Sequence, residues 1–204
     1  MVEDLLTRSG SARVLRSSRR ARASISVLMA AGLAMMTIAG LAANAGATVF
    51  HARDEALHLA FPDADRVEPT NHYLTDEQRA EIEKRGRSKL ESSLVTVYRG
   101  HRGAELLGYA IFDTHLVRTL PETFVVVLSP AGEVRATHVL AFHEPLDYLP
   151  PPRWLGLFTG KKADDELRLG NDIAAITGST LSAQAVTDGI RRALAIYAVL
   201  LQGK

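Results

Sequence analysis

With 204 residues, 47% of them apolar, and a formal charge of +1, the chain has material for one globular domain with a real core. The near-neutral balance, with much of its cationic excess in arginines near the N-terminus, offers no phosphate-binding surface and excludes nucleic acid as an expected partner. A count of zero cysteines excludes disulfide staples, a lipid-modified N-terminal cysteine, a c-type haem attachment and a cysteine-held iron–sulfur cluster.

Residues 1–45 read as a signal peptide or membrane anchor. Arg13, Arg16, Arg19, Arg20 and Arg22 precede an uncharged apolar run over 25–43, and Ala43-Asn44-Ala45 then supplies a small-x-small cleavage pattern. The run reaches the lower end of lengths that span a bilayer, so an uncleaved anchor is the alternative to cleavage. Either reading places the remainder in the periplasm, or otherwise outside the cytoplasm. Arg19-Arg20 resembles a twin-arginine signal only faintly, because Arg22 and Ala23 stand where hydrophobic residues are expected.

Residues 46–92 read as an N-terminal connector and helix. A brief helix is expected over 54–60, followed by an extended connector carrying Pro62 and Pro69. Thr75-Asp76-Glu77-Gln78 matches a capping box and opens a charged helix to about Lys84. Its sparse apolar face predicts a peripheral helix or lid.

From Leu94 the texture changes to short β-rich runs. "SLVTVYRG" and "ELLGYAIF" flank "HRGA" as one hairpin, while "TFVVVLS" and "EVRATHVLAF" flank "PAGE" as another, with Gly132 placed to take a positive φ. Val186, Ile190, Ala193, Leu194, Tyr197 and Leu201 then repeat at helical spacing and supply a covering helix. The expected class is α+β: an antiparallel sheet of about four strands packed by a C-terminal helix, within a domain over 93–204.

Between sheet and helix, residues 143–170 carry four of the eight prolines and the only tryptophan. Trp154, Leu155 and Phe158 either plug the end of the sheet or wall a cofactor. Beyond them, Thr177, Gly178, Ser179, Thr180 and Ser182 crowd the start of the last helix. Unpaired N–H groups and the helix dipole favour an anion such as phosphate there; the plainer alternative is an N-cap with turn residues beside it. The seven histidines show no helical metal-ligand spacing, so no metal site is expected. No Ser-His-Asp set or paired carboxylates suggest independent catalysis.

The stretch Ala175-Ile176-Thr177-Gly178-Ser179-Thr180-Leu181-Ser182, followed by Ala185-Val186 and a helix, resembles the FMN-binding domain family. That family's flavinylation motif reads Asp, two residues, Ser or Thr, Gly, Ala, Thr, one residue, Ser or Thr. Its members include the extracytoplasmic flavin subunits of the sodium-pumping NADH:quinone oxidoreductase and of the Rnf complex. The order of strands, "RWLGLFTGK", motif and helix follows the family across roughly residues 93–201. Two positions depart from the pattern: Ala174 stands in place of the aspartate, and Ser179 in place of the alanine.

The resemblance implies FMN joined through its phosphate to Thr180 by a separate flavin transferase that takes FMN from FAD with magnesium. It implies Gly178 and Leu181 beside the tether, Thr177 and Ser182 as motif hydroxyls, and Ser179 as a second hydroxyl one step off. It also implies Glu144 as an acidic residue near the flavin, its alternative being a turn residue before Pro145, and Trp154, Leu155 and Phe158 as walls of the ring. Lys161 and Lys162 either contact phosphate or form a solvated face. The function so implied is an exported FMN-binding electron carrier serving a membrane redox partner, with an extracytoplasmic flavin-dependent reductase of ferric iron or a similar acceptor, or a flavin-free binding module, as alternatives.

Overall fold

In the computed structural model, residues 48–117 and 119–203 are described; the expected signal or anchor over 1–45 lies outside them. The described chain runs β1 (Thr48–Val49), α1 (Arg53–Ala60), β2 (Arg66–Tyr73), α2 (Asp76–Gly86), β3 (Leu94–Arg102), β4 (Glu105–Val117), β5 (Leu120–Leu128), β6 (Val134–Phe142), a 3-10 turn (Leu146–Tyr148), α3 (Pro152–Leu155), a second 3-10 turn (Gly156–Phe158) and α4 (Thr180–Leu200). No helix among the described residues is long and apolar enough to cross a membrane.

The class is α+β, but the sheet has six strands in the order β1-β6-β5-β4-β3-β2, not about four. Every pairing is antiparallel. Both expected hairpins form: β3 meets β4 across Gly103, and β5 meets β6 across a turn in which Ser129 donates its N–H to the carbonyl of Glu133 at 2.8 Å. Gly132 sits there at φ +79°, and a Cβ on it would run into the ring of Tyr197. Glycine is therefore required twice over, by backbone and by packing.

The two added strands lie at the edges. The expected connector is in fact β2, paired along its whole length with β3. Its sequence is mostly polar, and Pro69 interrupts it, which an edge strand tolerates because one row of N–H groups needs no partner. β1 adds only two residues against Phe142 and Ala141.

Central β5 is buried on both faces, which is why its sequence is a run and does not alternate. Phe124, Val126 and Leu128 join the larger core with Val97 and Ile111, closed by Val186, Ile190 and Leu194 of α4. Val125 and Val127 face the other way, against Tyr98, Ala110 and Leu140, where α1 and the following loop contribute Ala56 and Phe61.

The expected capping box is present: Thr75 Oγ1 accepts from the N–H of Gln78 at 3.2 Å and Gln78 Oε1 accepts from the N–H of Thr75 at 3.0 Å. The helix it opens is not peripheral, however. Ile82 is fully buried in the main core, and α2 packs directly on α4, with Gly86 against the backbone of Arg192. A single buried anchor gives little helical periodicity to read.

A charged chain lies in the same core. Arg192 grips Asp113 through two hydrogen bonds of 2.7 and 2.9 Å and reaches Ser88 Oγ at 3.0 Å. His115 Nδ1 lies 2.8 Å from Asp113 Oδ1, and its Nε2 lies 3.4 Å from the fully buried Glu122. Burial opposes a charge on His115, yet the hydrogen bond to Asp113 and the nearby Glu122 carboxyl group outweigh it and hold the imidazole up at about 9.

Candidate functional site

The head of α4 is built from a turn and a long helix. Gly178 takes φ +87°, which turns the chain into Ser179, the N-cap residue. Ser179 makes no side-chain cap; its hydroxyl donates to the carbonyl of Asp147 at 3.3 Å and is buried. The bond from the N–H of Ala183 to the carbonyl of Ser179, 2.9 Å long, completes the first helical turn. The N–H groups of Thr180, Leu181 and Ser182 precede it and have no acceptor one turn back, at the positive end of a 21-residue helix.

These residues line a cavity of about 150 Å3 together with Val117, Glu144 and Tyr148. Thr180 is exposed, and its hydroxyl makes only a long contact of 3.5 Å to the carbonyl of Ile176. Glu144 Oε1 is buried without a hydrogen-bond partner among the described residues. The site thus joins an accessible hydroxyl, three N–H donors without a helical acceptor and an unfilled acceptor.

Six of the expected site residues meet here: Glu144, Gly178, Ser179, Thr180, Leu181 and Ser182. Thr177 is exposed and lies outside the lining. Trp154 is also elsewhere: it is 5% exposed in the main core, edge-on to Phe158 at 5.2 Å, with its indole N–H donated to the carbonyl of Ala174 at 2.6 Å. Leu155 and Phe158 belong to that core as well, so all three plug the sheet, and Trp154 steadies the chain leading to Gly178. Lys161 and Lys162 face Asp172 and Glu133 at 3.7 and 2.8 Å, and neither lines the cavity. The carboxylate of Asp172 accepts from the N–H groups of Leu167 and Arg168, so it holds a local turn and does not substitute for the aspartate missing at Ala174.

Two lining residues were not expected. Val117 ends β4, and nothing in its strand marks it from the sequence; Tyr148 follows Glu144 in the same proline-bounded turn, where a lone aromatic beside an acid is the one readable signal.

A curated relative from Acetobacterium woodii, one of the subunits of a Na(+)-translocating ferredoxin:NAD(+) oxidoreductase complex, is 30% identical over 115 residues, covering 51% of this chain and 56% of that protein. The chain resembles the FMN-binding domain family. It spans little more than half the length of that relative, and no family model matches it. Among solved structures, the crystal structure of Shewanella oneidensis NqrC aligns with a TM-score of 0.48 at 14% identity, covering 66% of this chain and 82% of that one.

Proposed function

We propose that this chain is an extracytoplasmic electron-transfer protein carrying FMN, joined through its phosphate to Thr180. The observation that supports this most is the cavity at the head of α4, where the exposed Thr180 hydroxyl stands beside N–H groups that have no helical acceptor. Ser179 is the poorer acceptor residue because its hydroxyl is buried and already engaged. The relative's place in a redox complex supports the same reading.

The residues present fit such a group. N–H donors at 180–182 would hold the phosphate, and Glu144 Oε1 would accept from a hydroxyl or N–H of the nucleotide. The cavity is smaller than the roughly 300 Å3 at which drug-sized sites begin, so it suits the phosphate and sugar-alcohol chain, with Leu181, 53% exposed, offering apolar surface to the ring. When bound, FMN supplies a carrier for one or two electrons. Maturation needs a flavin transferase: the Thr180 oxygen bonds to the FMN phosphorus of FAD, the bond to AMP breaks, and the hydroxyl proton leaves. A covalent tether suits a site outside the cytoplasm, where lost cofactor is not replaced. The electron partner on this reading is a membrane protein, and residues 25–43 act as export signal or anchor.

Ala174 favours a second reading, a binding module without flavin, because the motif carboxylate is missing. Co-expression with a flavin transferase and intact-mass measurement separate the two. A mass increase of FMN less water, mapped to the Thr180 peptide and lost in Thr180→Val, is expected. Unmodified, colourless protein would overturn the proposal, and a modified Thr180→Val would move the acceptor elsewhere. Sustained turnover with ferric iron and no protein partner would instead indicate a terminal reductase.

A further inference from the structure

A cavity of about 450 Å3 lies along β6, bordered by residues 135–139. Along that stretch β6 has a strand neighbour on one side only, β5. Its outer edge is closed at both ends. At one end Phe50 and His51 donate their N–H groups to the carbonyl of Leu140, at 2.7 and 3.2 Å; at the other, Val134 exchanges two hydrogen bonds with Gly160 and Lys161, at 2.8 and 2.9 Å. The gap between is a strand-length slot of roughly 17 Å for five residues.

The slot is shaped on its flank as well. Leu149, Pro150, Pro152 and Leu155 form an apolar wall that stands beside the open edge. Thr137, at the middle of the gap, has its Oγ1 buried without a hydrogen-bond partner among the described residues. Arg135, at one end, is exposed, and its guanidinium makes no ion pair or hydrogen bond among the described residues. An open strand edge flanked by apolar surface is a template on which another extended chain can pair.

We infer that this slot receives an extended acidic segment of a partner protein, which adds as a strand to β6, sets an apolar side chain against the Leu149–Leu155 wall and places a carboxylate at Arg135. Backbone hydrogen bonds supply the affinity in this mode, and the wall and the guanidinium supply the selectivity. The inference does not depend on flavin.

Gly156 provides a clean test. It lines the cavity, its φ of −61° is open to any residue, and a Cβ there would meet nothing within 4 Å. Gly156→Trp therefore fills the slot without straining the fold. The full chain would be titrated with three capped hexapeptides: alternating Glu and Val, alternating Lys and Val, and the Glu-Val peptide N-methylated at every second residue. Binding would be read by fluorescence anisotropy and by hydrogen exchange at residues 134–142. The expected result is binding of the plain Glu-Val peptide only, slowed exchange within 135–139, at least about tenfold weaker binding in Arg135→Glu, and none in Gly156→Trp at unchanged melting temperature. Equal binding of all three peptides would overturn the inference in favour of a general apolar ligand site. So would no binding of the Glu-Val peptide at millimolar concentration, or binding that Gly156→Trp leaves intact.

Discussion

The buried chain Arg192–Asp113–His115–Glu122 predicts an unusual pH dependence of stability. His115 binds its proton more tightly in the folded protein, at about 9 against an ordinary 6.5. Its contribution is thus complete below 6.5 and is lost as pH rises from there through about 9. The size of the rise corresponds to at most about 3 kcal/mol, a large share of a typical domain's stability. The side chain is only 10% exposed, so solvent screens little of it. His138 acts with the opposite sign. Burial, with the neighbouring His51 adding to it, lowers its affinity for the proton, so its effect is a loss of stability as pH falls below 6.5. On these two groups, stability should decline as pH rises from 6.5 toward 9. Urea unfolding followed by the fluorescence of Trp154 at pH 6, 7.5 and 9 measures this directly. His115→Gln removes the titrating group and should flatten the curve above 6.5 whatever it costs in stability at pH 6. Equal wild-type stability at pH 6 and 9, or a decline that survives in His115→Gln, would refute the assignment of charge to this chain.

Two further substitutions test how the elements are held. Thr75→Ala removes half of the capping box of α2 and should cost about 1 kcal/mol, seen as a melting-temperature drop of about 2–4 °C; no change would mean that packing of Ile82 alone holds the helix. Gly132→Ala forces a side chain into a positive-φ turn and against the Tyr197 ring, whose hydroxyl donates to the carbonyl of Pro130 at 2.9 Å. It should cost more than about 1 kcal/mol and perturb the near-ultraviolet signal of the tyrosines, and an unaltered spectrum with unaltered stability would show that the turn can rearrange freely.

Local chemistry carried much of the fold into view. The Thr75–Gln78 pair, Gly132 and the three-and-four spacing from Val186 to Leu201 each act within a few residues, and each forms the expected element. What stayed hidden depends on neighbours distant in sequence. β2 becomes a strand because β3 offers an unpaired edge, against a local sequence holding Pro69 and few apolar residues. The role of α2 is set by one buried isoleucine and by a glycine that lets Arg192 approach, and neither leaves a periodic trace.

The same division runs through the site. The hydroxyl cluster was legible because residues 178–182 are contiguous, and a helix start imposes its own donors on whatever residues occupy it. Trp154 was less legible for the converse reason. An aromatic in a proline-rich loop satisfies a core and a cofactor equally well in composition; here the side chain is buried in the core and its indole N–H bonds to Ala174. That bond also bears on the absent motif aspartate. The backbone at 174 is held from the core side by an indole and not from its own side chain, so the path into Gly178 can be set without a carboxylate there. On the proposed reading, recognition by a transferase and geometry of the acceptor then become separable, and Ala174→Asp tests the separation: it should raise the extent of modification at Thr180 while leaving the unmodified protein's stability within about 0.5 kcal/mol, as for an exposed surface change. A stability loss well above that would show the position to be structural after all.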